Sequence, residues 1–138
     1  MRKKRELGML AWLTLNFPKE WLDQIEAEVG PLENLKLLFA FRRSRGRIGS
    51  IRFAVYRGKS SFLIIQRWVG DPGPDNLEAR AFVVESLNQA VETLRRVLAF
   101  PIPVRVFGVE YCAPEFERCL DEKTRRWLQR PWIRARRG

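Results

Sequence analysis

Apolar and polar positions alternate through the middle of the chain, a pattern that predicts consecutive β-strands. The expected strands and the turns between them are, in order, residues 35–43, 44–47, 48–57, 58–60 and 61–69. The alternation is clearest in the second of these strands. There Ile51, Phe53 and Val55 share one face, while Arg52 and Tyr56 lie on the other.

The length of the loop after this strand decides which side chains share a face of the sheet. With a three-residue loop at positions 58–60, Phe62 and Trp68 lie on the face of Arg52 and Tyr56. With a two-residue loop, the same two aromatic residues join Phe53 on the other face. The three-residue loop separates aliphatic from amphipathic residues more cleanly, so we predict that register.

Apolar spacing of three and four residues predicts helices on both sides of this region. They are expected at residues 18–29, 76–99 and 114–129. Residues 7–17 fit either a strand or a short helix. Residues 102–109 are predicted to form an edge strand, because proline lies near its start. These elements indicate an α+β fold: a mainly antiparallel sheet of about four strands, backed by helices on one side, with a basic-aromatic open face.

The length of 138 residues fits one domain, which we place at residues 7–130. A basic arm at residues 1–6 precedes it, and a basic tail at 131–138 follows. The chain shows neither a signal-peptide cleavage pattern nor an apolar run of membrane-spanning length. We therefore expect a cytoplasmic protein without membrane attachment. Its excess of arginine over lysine, with few Asn, Gln and Met, is compatible with a thermophile.

The charge of the chain indicates a polyanionic partner. It carries 26 Lys and Arg against 16 Asp and Glu, a net charge of +10, and its pI is near 10.6. Residues 34–70 contain no Asp or Glu. Nucleic acid is the first partner that such a block suggests, and an anionic membrane surface is the second.

Aromatic residues are interleaved with these cations, as expected of a surface that stacks bases and pairs phosphates. The predicted nucleic-acid-binding residues are Arg42, Arg43, Arg45, Arg47, Arg52, Tyr56, Lys59, Phe62, Gln66, Arg67, Trp68, Arg105 and Phe107. The competing interpretation places the aromatic side chains in the core beneath the helices.

The sequence contains no pattern typical of a catalytic or metal site. It has no His, and its two cysteines, Cys112 and Cys119, are too few for a protein zinc site and are expected to stay reduced. The carboxylates are scattered, and no phosphate-binding glycine loop follows a strand. We expect neither an enzyme nor a cofactor.

The basic-aromatic hairpin, a long covering helix, a further strand and a C-terminal amphipathic helix resemble the ThermoDBP family of single-stranded DNA-binding proteins from hyperthermophilic archaea. The resemblance implies a basic cleft for single-stranded DNA and association through the C-terminus. On this chain the cleft would be lined by Arg42, Arg52, Tyr56, Phe62, Gln66, Trp68, Arg105 and Phe107. Independently, the apolar stripe Phe116, Leu120 and Trp127 either packs on the domain or forms a homodimer.

The sequence thus predicts sequence-tolerant binding of single-stranded nucleic acid, with DNA slightly ahead of RNA. Two alternatives stay open. One is an RNA-binding component of a ribonucleoprotein, of the ribosomal or ribonuclease P type. The other is a basic assembly protein that docks an acidic partner.

Overall fold

The computed structural model describes residues 4–44, 50–70, 77–99 and 106–129. The helices and strands are α1 Lys4–Asn16, α2 Lys19–Val29, β1 Lys36–Ser44, β2 Ser50–Arg57, β3 Phe62–Val69, β4 Ala79–Val84, α3 Leu87–Ala99, β5 Val106–Cys112, α4 Pro114–Glu117 and α5 Glu122–Gln129. A short 3-10 turn at Leu32–Asn34 connects α2 to β1.

The five described strands form one sheet in the order β4-β3-β2-β1-β5, and every neighbouring pair is antiparallel. The predicted α+β class and antiparallel sheet are therefore confirmed. β5 lies at one edge of the described sheet, as the proline before it predicts. The strand that exceeds the expected four is β4, at the other edge.

Helices cover both faces of the sheet. α1 and α2 pack on one face, here called the α1 face, where Leu13, Val29 and Tyr56 belong to one buried cluster. α3, α4 and α5 pack on the other, the α3 face, where Leu94 and Phe116 belong to a second. The consecutive residues 53–56 of β2 are all buried. Their side chains point alternately to the two faces of the sheet, and helices cover both faces.

This arrangement does not confirm the predicted basic-aromatic open face. The prediction placed helices on one side only, whereas the structure has them on both. Tyr56 is the clearest case, since its side chain is fully buried on the α1 face. A ring buried beneath a helix stabilises the core and presents no solvent-exposed face for base stacking.

The predicted register of the β2–β3 hairpin is wrong. Val55 lies opposite Ile64, and Tyr56 lies opposite Leu63. The loop therefore has four residues, 58–61. A four-residue loop places the side chains of β3 on the same faces as the rejected two-residue loop would. Phe62 and Trp68 consequently lie on the face of Phe53, not on that of Arg52 and Tyr56.

Contacts with the end of α2 hold this loop at four residues. The Gly58 N–H donates to the Ser61 carbonyl at 2.8 Å, and the Lys59 N–H donates to the Val29 carbonyl at 2.9 Å. The Ser61 hydroxyl donates to the carbonyl of Glu28 at 3.0 Å. These bonds hold Ser61 in the loop, so β3 begins at Phe62. The pairing is therefore shifted by one residue from the register predicted with a three-residue loop.

The first part of the helix predicted at 76–99 is wrong, because residues 79–84 form β4 against β3. The helix α3 begins only after Ser86. There the Gln89 N–H donates to the Ser86 hydroxyl at 3.2 Å, and the Gln89 side-chain oxygen accepts from the Ser86 N–H at 3.2 Å. This reciprocal pair of bonds is a capping box.

The ambiguous segment 7–17 belongs to α1, whose Met9, Leu10 and Leu13 are buried at helical spacing. α1 begins at Lys4, within the segment assigned to the basic arm; residues 1–3 and the tail 131–138 lie outside the described residues.

The predicted C-terminal helix is divided into α4 and α5. The Asp121 carboxylate accepts from the Thr124 N–H at 3.3 Å, and so caps the start of α5. Phe116 and Leu120 are buried within the domain, so this part of the apolar stripe packs internally. The side chain of Trp127 lies outside the described residues, and association through this helix stays a prediction.

Candidate nucleic-acid interface

Three arginines lie side by side across the central strands. Arg42 of β1 is the register partner of Arg52 in β2, and Arg52 is the partner of Arg67 in β3. Each is two residues from a member of the α1-face cluster, so all three point to that side of the sheet. We call these three residues the arginine row.

The row concentrates positive charge that its surroundings only partly neutralise. Like charges directly opposite one another in a sheet repel. Burial lowers the pKa of Arg67 from its usual value, and the charge of Arg52 lowers it further, while Glu78 opposes both effects. Glu110 lies 3.5 Å from Arg52, and Arg42 has no acidic partner within 4.0 Å among the described residues. An arrangement that is repulsive in isolation favours an incoming anion.

An aromatic cluster continues from the end of the row. The Arg67 guanidinium lies over the Trp12 ring at 4.4 Å from the ring centroid. Trp12 meets Phe17 edge to face at 6.2 Å, and Phe17 meets Trp21 in the same way at 5.6 Å. We call Trp12, Phe17 and Trp21 the aromatic strip. Trp21 is 55% exposed, so one ring of the strip is open to a stacking partner.

Sequence reasoning missed the aromatic strip as a site. Trp21 falls within the helix predicted at residues 18–29, and Trp12 falls within the segment 7–17, which fits either a strand or a short helix. The available signal was three large aromatic residues within ten positions, on either side of the helix break at Pro18. That break turns α1 into α2 and brings the rings together.

The predicted aromatic residues Tyr56, Phe62 and Trp68 do not form one exposed surface with Arg52. Tyr56 is buried on the α1 face, whereas Phe62 and Trp68 are half-buried on the α3 face. Phe62 packs against the cluster there, with the Arg57 guanidinium 5.3 Å from its ring centroid. The prediction that these rings form one stacking surface with Arg52 is wrong, because it depended on the incorrect hairpin register.

Two further predicted site residues are also separate from the row. Gln66 is 2% exposed, lies on the α3 face and accepts a hydrogen bond from Arg80. Lys59 is exposed, but it lies in the hairpin loop at the opposite end of β2 from Arg52. Burial and distance respectively exclude these two from an interface built on the row.

The remaining predicted residues lie wholly or partly outside the described part of the chain. Arg45, Arg47 and Arg105 lie outside the described residues, as do the side chains of Arg43 and Phe107. The backbone of Arg43 is opposite Phe107 in the β1–β5 pair, next to Arg42. Of the thirteen predicted residues, the structure thus brings together Arg42, Arg52 and Arg67.

Neither Cys112 nor Cys119 is joined in a disulfide. Burial raises the pKa of Cys112 to about 11, and the negative charge of Glu117 adds to the effect. A thiol with such a pKa is protonated at neutral pH and is a weak nucleophile. Cys112 lines a cavity of about 210 Å³ together with Leu120 and Arg125.

In the described ranges no group of three His, Cys, Asp or Glu side chains is placed to hold a metal ion. None of the helices described there combines the length and apolarity that a membrane crossing requires.

Comparison of the chain with protein-family models, with curated proteins and with solved structures finds no match. The resemblance to the ThermoDBP family therefore stays a prediction.

Proposed function

We propose that this protein binds single-stranded nucleic acid across the arginine row and the aromatic strip. The single observation that carries the proposal is the juxtaposition of the two features. Of the three guanidiniums on adjacent strands, that of Arg52 lies 3.5 Å from the Glu110 carboxylate, and that of Arg67 lies on the first ring of the aromatic strip. Cationic grooves with adjoining aromatic rings are typical of sequence-tolerant single-strand binding.

In this proposal the arginine row contacts the phosphates, and the aromatic strip contacts the bases. Arginine pairs with phosphate oxygens through charge-assisted hydrogen bonds. Directly opposed residues of adjacent strands are about 5 Å apart, so the row offers a series of closely spaced donors. Trp21 offers an exposed ring on which an unpaired base stacks. Paired bases lack a free face, so a duplex uses the row alone.

In line with the sequence-based prediction, we favour DNA slightly over RNA as the bound strand. A protein distinguishes the two by local contacts to the 2′-hydroxyl group of RNA. A docked acidic protein is the competing partner, because it also satisfies a cationic row. An acidic protein has no unpaired bases, so it would not use the exposed ring of Trp21 for stacking.

The test is a competition assay with labelled single-stranded DNA, single-stranded RNA and duplex of one sequence. We expect single strands to bind more tightly than duplex. For single strands each phosphate contact contributes about 0.7 to the log–log salt slope, so three contacts give a slope near −2, which further basic residues would steepen. A slope near zero, or stronger binding of an acidic protein than of any oligonucleotide, contradicts the proposal.

Variants of matched charge connect this binding to the row. Arg67→Ala should weaken single-strand binding and reduce the salt slope by about 0.7. Arg96→Ala is the control, because Arg96 is exposed on α3, on the opposite face of the sheet. Equal losses from the two variants would show that overall charge, and not the row, determines the affinity.

A further inference from the structure

A cavity of about 180 Å³ lies beside the arginine row, between α1 and the sheet. Most of its wall is apolar or aromatic, and Arg52 and Glu110 supply the charged groups. The lining residues are Gly8, Met9, Leu37, Ala40, Arg52, Ala54, Tyr56, Glu110 and Tyr111. Arg52 therefore belongs both to the row and to the cavity wall.

The size of the cavity limits what it can hold. An apolar cavity of about 150 Å³ accommodates one benzene ring. A volume of about 180 Å³ is therefore suited to one planar aromatic ring system. Because the cavity adjoins a row that would hold phosphates, an unpaired nucleobase of the bound strand is the ring system nearest to it.

The two charged groups indicate which base fits. Glu110 and Arg52 are 3.5 Å apart, so the carboxylate acceptors lie next to the guanidinium donors. The Watson–Crick edge of guanine presents two adjacent donors, N1–H and the N2 amino group, followed by the acceptor O6. A carboxylate accepts both donors, and arginine donates to O6, which completes a charge-assisted pattern. Adenine, cytosine and thymine lack two adjacent donors on that edge.

We propose that this cavity binds one unpaired guanine of a nucleic-acid strand whose phosphates contact the arginine row. The inference rests on the proposed single-strand binding and adds a base preference to it. Guanine within a duplex uses the same edge for base pairing, so only an unpaired guanine is recognised.

Gly8 provides a way to close the cavity without disturbing the fold. It is exposed, lines the cavity, and a Cβ at this position would meet no atom within 4 Å. A larger residue is accommodated sterically, and glycine is itself unfavourable inside a helix by about 1 kcal/mol relative to alanine. Gly8→Leu should therefore fold and narrow the cavity mouth.

The experiment compares a labelled thymidine oligomer of about a dozen nucleotides with the same oligomer carrying one central guanosine. A third oligomer carries adenosine at that place. We expect the guanosine oligomer to bind roughly tenfold more tightly than either of the others. The ratio of dissociation constants should fall towards one in Glu110→Gln and in Gly8→Leu. Glu122→Gln is the control of equal charge change, since Glu122 is exposed on α5; it should retain the ratio.

The outcomes distinguish this inference from the proposed function. Salt-dependent binding of all three oligomers with equal affinity overturns the guanine site and leaves single-strand binding intact. A guanosine preference that survives both Glu110→Gln and Gly8→Leu places the recognition elsewhere and also overturns the site. If no oligomer binds, the proposed function fails, and the guanine site fails with it. Thermal unfolding of each variant establishes that the proteins compared are folded.

Discussion

Arg52 lies directly opposite Arg67 in the antiparallel β2–β3 pair, and Arg42 lies opposite Arg52 on its other side. Like charges in this position destabilise a sheet, by up to about 1 kcal/mol for each pair. An interior strand position that serves only folding would be expected to carry a neutral or complementary residue. The repulsion is therefore consistent with a role in anion binding, and it leads to opposite expectations for stability and affinity.

Replacing Arg52 should stabilise the free protein while weakening its binding to single strands. Arg52→Thr loses the exposed pair with Glu110 at 3.5 Å, which contributes little, but it removes repulsion from both neighbours and introduces a residue with high strand propensity. The free energy of unfolding should therefore rise by about 0.2–1 kcal/mol. Arg57→Thr on the same strand is the control. Arg57 bonds Glu115 through two guanidinium nitrogens, and its loss should reduce stability slightly. Denaturant unfolding measures both variants; a destabilised Arg52→Thr protein would contradict the repulsion argument.

Trp21 and Trp68 should respond differently to truncation. Trp21 is exposed at the end of the aromatic strip, so Trp21→Ala should weaken single-strand binding by about 1–3 kcal/mol with an unchanged salt slope and little change in Tm. Trp68 is half-buried on the opposite face of the sheet, so Trp68→Ala should lower Tm. Its folded fraction should keep the wild-type affinity. Anisotropy titrations beside melting curves separate the two effects, and the reverse result would assign base stacking to the α3 face.

The capping box at the start of α3 should contribute measurably to stability. Ser86→Ala removes the hydroxyl that accepts from the Gln89 N–H, and caps of this type stabilise a protein by about 0.5–2 kcal/mol. Asn88→Ala, in the same exposed first turn, is the matched control. Chemical denaturation should show a loss for Ser86→Ala only. Equal losses would mean that the hydrogen bond of the Ser86 cap does not set the effect.

The thiol of Cys112 should make stability decline at alkaline pH. Its pKa is raised from 9.0 to about 11, mainly by burial. Above pH 9 the unfolded chain releases this proton while the folded protein retains it, so the contribution is complete below pH 9 and is lost as pH rises through about 11. Cys112→Ala should therefore flatten the decline over this interval. Unfolding curves of the two proteins that keep a constant separation across it would contradict the expectation.

The sequence by itself determined the features that depend on local chemistry. Pro18 and Gly30 delimit α2 because one lacks an N–H that a helix start leaves unpaired and the other adopts a positive φ of 92° at its end. Alternating apolar residues predict β1, β2 and β3, since the side chains of a strand point to opposite faces in turn. The excess of arginine and the acid-free segment likewise predict a cationic central sheet.

Only the tertiary structure decided which side chains share a face. The carbonyls of Glu28 and Val29 at the end of α2 hold Lys59 and Ser61 in the hairpin loop, and this contact sets the register of β3. Residues 79–84 likewise form a strand because they pair with the edge of β3, although the spacing of their apolar residues also fits a helix. The arginine row exists because that register places Arg67 opposite Arg52, and it meets Trp12 because α1 crosses the same face. Pairing and packing between distant segments outweigh local propensity here, since they bury apolar area that no single segment can bury alone.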